Sequence, residues 1–336
     1  MPVLKNRIEE NPKGIRTIGN RLMDEKDRAV QSRTTRCNSL TCGHRACQGC
    51  GEALGARSVV DAAYEAVGGN LIVVNATGCL EVFSTPYPES AWQVAWGHSL
   101  FGNAPAVATG VAAAMKIKNR PEVRILAQGG DGSTTDIGFG CLSGMFERND
   151  DVLYVCYDNQ AYMNTGVQRS SATPPAARTA TTPSVGDDPG NVFGTGKNLP
   201  KIAMAHGIPY VATATISDMR DLEAKVKKAM SFHGARYIHV LVPCPLGWGT
   251  VPNQTLNLSR LAVRSGVFPL FEAENGVVTG TTKIKDHVPV EEYFKLQKRF
   301  AHLFKGGKQN AAKLAQLQAI ADANIKTYDL LADEEI

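Results

Sequence analysis

The chain has 336 residues, a formal net charge of +4, 43% hydrophobic residues and 20% charged residues. This composition is globular, with enough apolar material for one large domain or two smaller ones. The excess charge lies in residues 5–36, where nine Lys and Arg outnumber five Asp and Glu; from Cys37 onward the counts are equal, 27 against 27. A balanced body argues against a nucleic-acid groove or an anionic membrane surface as the main binding partner.

The N-terminal segment, the length of the apolar stretches and the spacing of the cysteines further limit the class of protein. No apolar run follows the N-terminal charges, and no stretch approaches the ~20 apolar residues that a membrane-spanning helix needs. Without an export signal, cysteines spread through a large chain favour reduced thiols or metal ligands over a disulfide framework. We therefore expect a cytoplasmic protein without a membrane span, whose eight cysteines are at positions 37, 42, 47, 50, 79, 141, 156 and 244.

Helical and strand patterns alternate along the chain from Glu52 onward. Apolar residues at helical spacing predict helices over 53–67, 103–118, 135–148, 199–206 and 217–232. Short continuous apolar runs predict strands that are buried on both faces, over 71–75, 123–128, 152–158, 209–214 and 237–242. Strands that alternate with helices predict an α/β fold, with a doubly wound and mostly parallel sheet.

The domain organisation follows from where this alternation starts and stops. Residues 1–42 are polar and weakly periodic, and we interpret them as an N-terminal arm. Residues 43–253 form the main domain, in which the segment 169–198 is a loop far longer than the usual few residues. Residues 254–336 show short helical patterns, which predict a helical appendage that wraps the core or a partner.

A glycine-rich turn with an acidic residue follows the strand predicted over 123–128. The sequence GGDG at 129–132 lies between this strand and the next helix, at the edge where open parallel sheets bind ligands. Glycine backbones and a helix N-terminus suit a phosphate, and Asp131 supplies an oxygen ligand for Mg²⁺. Asn159 ends the following strand, so both side chains can meet on one ion, together with the carbonyl of Ala161. This pattern resembles the thiamine diphosphate (ThDP) motif, although Gln160 stands where a second Asn is common.

Four cysteines lie where the predicted topology brings them together. Cys47 and Cys50 form a Cys-x-x-Cys motif before the first helix, and Cys79 and Cys244 lie just beyond the carboxyl ends of two strands. Four thiolates at one edge could hold an iron–sulfur cluster or zinc, or they could be unligated. A cluster could accept electrons from a ThDP-dependent decarboxylation, whereas zinc would contribute little there. Two other cysteines fall inside predicted elements, where packing explains them: Cys141 and Cys156.

Six motifs in order resemble the β subunit of four-subunit pyruvate:ferredoxin oxidoreductases, in the 2-oxoacid:ferredoxin oxidoreductase superfamily. The resemblance extends from residue 43 to about 304, and its motifs are GHRACQGCGEALG (43–55), NATGCLEV (75–82), GGDGSTTDIG (129–138), YDNQAYMNTGVQRSSATP (157–174), PCPLGW (243–248) and PLFEAENG (269–276). It implies that residues 43–253 are a ThDP- and [4Fe–4S]-binding domain. The cluster ligands that it implies are Cys47, Cys50, Cys79 and Cys244.

The resemblance also implies a set of ThDP and Mg²⁺ contacts, with Asn164 as the catalytic residue at the reacting carbon. Asp131, Asn159 and the carbonyl of Ala161 would ligate Mg²⁺. The full set of implied cofactor-binding residues is Glu52, Cys79, Gly130, Asp131, Gly132, Ser133, Asn159, Gln160, Ala161, Tyr162, Met163 and Asn164.

The activity implied by the resemblance is the oxidative decarboxylation of a 2-oxoacid to an acyl-CoA and CO₂, with electrons passed to the cluster and coenzyme A as co-substrate. The implied partners are an α subunit that completes the active site, a γ subunit, a ferredoxin-like δ subunit, and an external ferredoxin or NAD-linked acceptor subunit. The chain alone should be inert. A non-redox ThDP decarboxylase with structural zinc, or a scaffold subunit without cofactor, would be the competing classes.

Three features depart from the family pattern. The arm before Gly43 is longer, and Cys37 and Cys42 are extra cysteines that we interpret as unligated. Ser99 and Gly102 stand where pyruvate enzymes tend to carry Val and Glu. Pyruvate is the leading substrate; a small residue at 102 could open room for the ring of an aryl 2-oxoacid such as phenylglyoxylate, and oxalate is a third candidate.

Overall fold

The computed structural model describes residues 38–86, 89–185, 189–307 and 310–332. Most of the predicted N-terminal arm, including Cys37, lies outside the described residues. The described chain is organised around an eight-stranded sheet in the order β2-β1-β3-β4-β6-β5-β7-β8. The strands are β1 (Leu71–Ala76), β2 (Ala95–Ser99), β3 (Arg124–Gly130), β4 (Val152–Asp158), β5 (Tyr210–Thr215), β6 (Arg236–Leu241), β7 (Phe271–Glu274) and β8 (Val277–Thr281).

The six strands from β2 to β5 in this order pair in parallel, and β7 and β8 add an antiparallel edge. The helices are α1 (Gly51–Ala66), α2 (Cys79–Ser84), α3 (Ala104–Ile117), α4 (Phe139–Glu147), α5 (Leu199–Ala205), α6 (Met219–Ser231), α7 (Pro245–Trp248), α8 (Thr255–Arg264), α9 (Val290–Phe294) and α10 (Ala311–Tyr328). A π-helical segment (Gly132–Ile137) precedes α4, and 3-10 segments occupy Pro252–Gln254 and Lys298–Gly307. The prediction of a doubly wound, mostly parallel sheet is confirmed.

Two apolar layers cover the sheet. Buried residues of α1 and α6 pack on one face, and those of α3, α4 and α5 pack on the other. The central strands are buried on both faces, which is why they read as continuous apolar runs in the sequence. A third apolar cluster joins α8, α9 and α10 to Trp248, to Leu241 of β6 and to Ala176 and Ala177 of the long loop, so the C-terminal segment packs onto the main domain. No helix in the described part of the chain is long and apolar enough to cross a membrane.

The structure adds strands that the sequence patterns did not predict. β2 is a largely exposed edge strand, AWGHS, and therefore lacks a continuous apolar run. β7 and β8 form a hairpin from the C-terminal segment, for which only helices were predicted. Its turn is Asn275-Gly276, where both residues have positive φ (50° and 81°), as a tight hairpin turn requires. The segment thus extends the sheet as well as packing helices on it.

The strand order decides which loops become neighbours. β1, β3, β4 and β6 are adjacent in the sheet, although β6 lies far from β1 in the chain. Because parallel strands present their carboxyl ends at one edge, the loops after these four strands lie side by side. The loops that carry Cys79, the Gly-Asp-Gly turn, Asn159 and Cys244 each follow one of these strands, and the Cys47–Cys50 loop directly precedes α1.

Candidate active site

Two adjacent cavities occupy the carboxyl edge of the four central strands. The first has a volume of about 90 Å³ and contains most of the predicted ThDP contacts. The second has a volume of about 100 Å³ and contains the four predicted cluster cysteines. Glu52, Cys79, Asn159 and Asn164 line both cavities, so the two sites share a wall.

The first cavity brings together eleven of the twelve cofactor-binding residues implied by the resemblance. Its floor is the Gly-Asp-Gly turn after β3, and the loop after β4 forms one side. The close approach of these two loops requires a glycine at 132, because a Cβ there would lie 2.6 Å from the Tyr162 ring. The lining residues are Glu52, Thr77, Gly78, Cys79, Phe101, Gly130, Asp131, Gly132, Ser133, Asn159, Ala161, Tyr162, Met163, Asn164 and Thr165.

Hard oxygen donors face each other in this cavity. Asp131 is 1% exposed and accepts a hydrogen bond from Ser170 Oγ. Asn159 is 5% exposed, and its Nδ2 donates to Glu52 Oε2 at 3.1 Å, which fixes the amide orientation. Its Oδ1 is buried and has no hydrogen-bond partner among the described groups. An orphaned buried oxygen beside a buried carboxylate fits a bound cation, and a carboxylate with an amide oxygen suits Mg²⁺.

Several buried carboxyl groups crowd this edge of the sheet. Burial, and then the neighbouring charge of Asp158, raise the pKa of Asp131 well above its ordinary value. Burial raises the pKa of Glu52 to about 7, although the hydrogen bond from Asn159 opposes the shift. The ionised forms of Asp131 and Glu52 are therefore disfavoured when no cation lies beside them. A divalent cation would relieve that crowding at the point where a diphosphate must also bind.

An aromatic pair covers one side of the first cavity. Phe101 stacks on Tyr162 with ring centroids 5.7 Å apart, and the Tyr162 hydroxyl donates to Asp136 Oδ2 at 3.1 Å. Phe101, Thr77, Gly78 and Thr165 were not among the predicted contacts. Thr77 and Gly78 immediately precede Cys79 in the motif after β1. Their position beside that predicted contact could have identified them as cavity residues.

Gln160 is the one predicted contact that does not line the first cavity. Its backbone has a positive φ of 68°, and its backbone N–H donates to Asp158 Oδ1 at 2.9 Å. This turn directs the side chain away from the cavity, where Gln160 Oε1 accepts a hydrogen bond from Arg299. The side chain of Gln160 thus supports the loop from behind, and its role as a cofactor contact stays a prediction.

The second cavity is lined by Cys47, Cys50, Cys79 and Cys244. Cys50 caps the N-terminus of α1, where Ala53 N–H donates to its Sγ at 3.4 Å, and Cys244 caps α7 in the same way through Gly247 N–H at 3.4 Å. Two helix N-termini thus point their donors at two of the thiols. N–H···S contacts of this kind stabilise thiolates and the negative charge of a metal–sulfur centre.

Burial keeps three of these thiols, Cys50, Cys79 and Cys244, protonated in the absence of a metal. It raises the pKa of Cys50 to about 12 and also raises those of Cys79 and Cys244, with the charge of Glu52 acting in the same direction. Within the described ranges, no three His, Cys, Asp or Glu side chains converge on a single metal ion. The second cavity nevertheless gathers four thiols, the ligand type that zinc sites and iron–sulfur clusters share.

The remaining cysteines lie apart from both cavities. Cys156 is fully buried in β4, Cys141 lies partly buried on α4, and Cys42 is exposed. None of the three lines either cavity. The position of Cys141 inside a helix and of Cys156 inside a strand is as predicted.

The long loop packs onto the cofactor loops. Ser170 contacts Asp131, Thr173 Oγ1 donates to the Gln160 carbonyl at 2.7 Å, and Ser171 N–H donates to Asp136 Oδ2 at 3.0 Å. Residues 170–173 at the start of this loop therefore buttress the Gly-Asp-Gly turn and the loop after β4. Ser170 and Thr173 were missed as site residues, although both fall within the motif that begins at Tyr157.

Comparison with known proteins identifies the family. The model of the thiamine pyrophosphate enzyme C-terminal TPP-binding domain matches residues 76–240. The chain is 51% identical over 302 residues to the pyruvate synthase subunit PorB of Methanosarcina barkeri, covering 89% of this chain and 99% of that protein. It is 44% identical to PorB of Pyrococcus furiosus (78% of this chain, 86% of that protein) and 41% identical to the ketoisovalerate oxidoreductase subunit VorB of Pyrococcus abyssi (78% and 85%).

A solved structure confirms the fold. A chain of 2-oxoglutarate:ferredoxin oxidoreductase from Magnetococcus marinus superposes with a TM-score of 0.52 at 24% identity, covering 71% of this chain and 80% of that one. The family that the motifs indicated is confirmed by the relatives. The chain belongs to the β subunits of the ThDP-dependent 2-oxoacid:ferredoxin oxidoreductases.

Proposed function

We propose that this chain is the β subunit of a pyruvate:ferredoxin oxidoreductase, which oxidises pyruvate and coenzyme A to acetyl-CoA and CO₂. The observation that carries the proposal is the shared wall between the two cavities: the same residues, Cys79 among them, line the ThDP cavity and the cysteine cavity. A decarboxylation site and an electron acceptor in contact are what an oxidative decarboxylase needs. A non-redox decarboxylase would have no use for the second cavity.

In the first cavity, Asp131, Asn159 Oδ1 and the Ala161 carbonyl would hold Mg²⁺, and the Gly-Asp-Gly turn would receive the diphosphate. When bound, ThDP supplies an electron sink for the carbon–carbon bond that breaks. Asn164 lines both cavities and would orient the substrate carbonyl by hydrogen bonding. Phe101 and Tyr162 would exclude water from one side of the reacting carbon. The partly exposed rim leaves room for an α subunit to complete the site.

In the second cavity, Cys47, Cys50, Cys79 and Cys244 would hold one [4Fe–4S] cluster, which supplies one-electron acceptance beside ThDP. The thiol protons of Cys50, Cys79 and Cys244 must leave when iron binds, because their raised pKa values keep these free thiols neutral. The N–H donors at the starts of α1 and α7 would then stabilise the thiolates. Cys47 is exposed, which supports an electron exit on that side toward a ferredoxin-like δ subunit.

The substrate assignment depends on the relatives and on Gly102. Three PorB proteins that are 48–51% identical to this chain are named pyruvate synthase subunits. The alternative of an aryl 2-oxoacid rested on space beside Gly102. A Cβ at this position would lie 2.9 Å from the Ile137 carbonyl oxygen, and Gly102 does not line the cavity. Its small size thus serves backbone packing, and pyruvate is the better supported substrate than phenylglyoxylate or oxalate.

The complex would include α, γ and ferredoxin-like δ subunits, use coenzyme A as co-substrate, and act in the cytoplasm. The experiment is an anaerobic assay of the native complex with coenzyme A and ferredoxin or a viologen dye. Pyruvate should give the highest kcat/KM in a panel with 2-oxoisovalerate, 2-oxoglutarate, phenylglyoxylate and oxalate. A preference for any other member would overturn the substrate assignment, and coenzyme A-independent aldehyde release would overturn the reaction class.

A further inference from the structure

Arg299 is a buried cation without an ion-pair partner in the described part of the chain. It is 4% exposed, and no described carboxylate oxygen lies within 4.0 Å of its guanidinium. Its Nη2 donates to Gln160 Oε1 at 2.5 Å and its Nε donates to Gln297 Oε1 at 2.9 Å. The guanidinium also stacks on the Trp248 ring, 3.9 Å from the centroid. Its Nε and Nη2 thus donate to neutral acceptors, and no ion pair with a described carboxylate offsets its charge.

The contacts of Arg299 lead into both cavities. Gln160 follows Asn159 in the loop after β4. Trp248 Nε1 donates to the Asn159 carbonyl at 2.8 Å, and the Trp248 backbone N–H donates to the Cys244 carbonyl at 2.9 Å. Arg299 therefore holds, from behind, the loop that carries Asn159 and the short helix that starts at Cys244.

The charge of Arg299 persists at neutral pH. Burial lowers its pKa to about 10, while Tyr293 and then Asp158, Cys244 and Asp131 favour the charged form. A buried, unpaired cation is costly to a fold. That cost is offset if the two neighbouring sites bring negative charge with their ligands, as a diphosphate and a thiolate-ligated cluster do.

We propose that Arg299 is a positioning residue for both cofactors, and that its positive charge stabilises the reduced form of the cluster. The inference rests on the proposed function, because it presumes ThDP and a [4Fe–4S] cluster in the two cavities. Reduction adds one negative charge to a cluster, so a nearby buried cation makes the reduction potential less negative. Fixing the Asn159 loop favours Mg²⁺ and ThDP binding.

Substitutions separate the charge from the geometry. In the assembled complex, Arg299→Gln removes both; we expect the Kd for ThDP with Mg²⁺ to rise at least tenfold and the cluster potential to become more negative. Arg299→Lys keeps the charge but loses the planar donors and the stacking on Trp248. It should weaken ThDP binding and leave the potential near that of the wild type. Gln160→Ala should behave like Arg299→Lys, because it removes one contact and keeps the cation.

Calorimetric ThDP titration and an EPR-monitored redox titration provide the two readouts, and Arg236→Gln is the matched control. Arg236 is fully buried but pairs with Asp151 at the opposite edge of the sheet. Its loss should lower Tm without changing ThDP affinity or potential. An Arg299→Gln complex that loses only Tm would overturn the inference. If the Arg299→Gln complex does not assemble, the inference would be overturned by unchanged ThDP affinity in both Arg299→Lys and Gln160→Ala. A wild-type complex without iron or ThDP would overturn the proposed function instead.

Discussion

Asp131→Asn is the sharpest test of the ThDP cavity, because it removes a charge while preserving shape. The carboxyl group is 1% exposed and accepts a hydrogen bond from Ser170, and the amide oxygen of Asn can accept the same bond. The second oxygen, which we assign to Mg²⁺, becomes a neutral ligand or an NH₂ group. The cation and the diphosphate then lose their only charged protein ligand in the proposed coordination set.

The size of the effect follows from the burial of the site. Removing one partner of a buried charged contact costs about 3–5 kcal/mol, and each 1.4 kcal/mol is tenfold, so the Kd for ThDP with Mg²⁺ should rise by roughly 100- to 1,000-fold or more. The cofactor-free protein should not be destabilised. Burial and the charge of Asp158 raise the pKa of Asp131, so its ionised form is disfavoured until a cation binds.

The assay is isothermal titration of ThDP with Mg²⁺ into the complex after both have been stripped by chelation. Iron content and Tm of the stripped complex serve as readouts that should not fall. Asp150→Asn is the matched control, since this partly buried carboxylate pairs with Arg148 at 2.9 Å and lines neither cavity. Wild-type affinity in Asp131→Asn would refute the Mg²⁺ assignment, and loss of iron together with ThDP would show that the two cofactor sites are misassigned.

Three further predictions concern other parts of the molecule. Cys244→Ser should lose the cluster, or convert it to a three-iron form, while ThDP binding is retained; Cys141→Ser should leave iron content and turnover intact, and iron analysis with EPR distinguishes the two. Burial opposes the shift, but the Arg236 guanidinium holds the pKa of Asp151 below its ordinary value. The ion pair therefore stabilises the fold fully at pH values above the ordinary pKa of Asp. This stabilisation is lost as the pH falls through the lowered pKa of Asp151. Asp151→Asn should therefore lower Tm at neutral pH and flatten its decline below about pH 4, as measured by calorimetry. Phe101→Ala removes the ring stacked on Tyr162 and should lower kcat for pyruvate at least severalfold with ThDP still bound, whereas unchanged steady-state kinetics would show that the aromatic cover is dispensable.

Much of the fold could be predicted because its central strands are buried on both faces. Continuous apolar runs such as VLYVCYD mark these strands without ambiguity. Parallel pairing then places every strand's carboxyl end at one edge, which is how Cys244 could be assigned to the same edge as Cys79. The exposed edge strand β2 carries no such run. The hairpin of β7 and β8 left a signal, Asn275-Gly276, that the helical interpretation of the C-terminal segment overlooked.

The site could be predicted at the level of loops but not of side-chain direction. A positive φ at Gln160 reverses that side chain, and nothing in an isolated sequence specifies such a turn. The same limit applies to Gly102, whose small size suggested free space but instead accommodates the backbone at Ile137. Ser170 and Arg299 act on the site from distant segments, so only the folded chain brings them to the cofactor loops.

The central claim is that pyruvate delivers electrons to a cluster held by this chain's cysteines beside ThDP. The most direct test is to add pyruvate anaerobically to the native complex and to the Cys244→Ser complex, and to compare the EPR signals of reduced clusters. Electrons would then have no route from ThDP to the proposed ferredoxin-like δ subunit, so pyruvate should give the signal in the wild type and none in Cys244→Ser. The variant should lose about four iron and four sulfide per chain, or about one iron if a three-iron form remains. An equal pyruvate-dependent signal and equal iron content in both complexes would contradict the account.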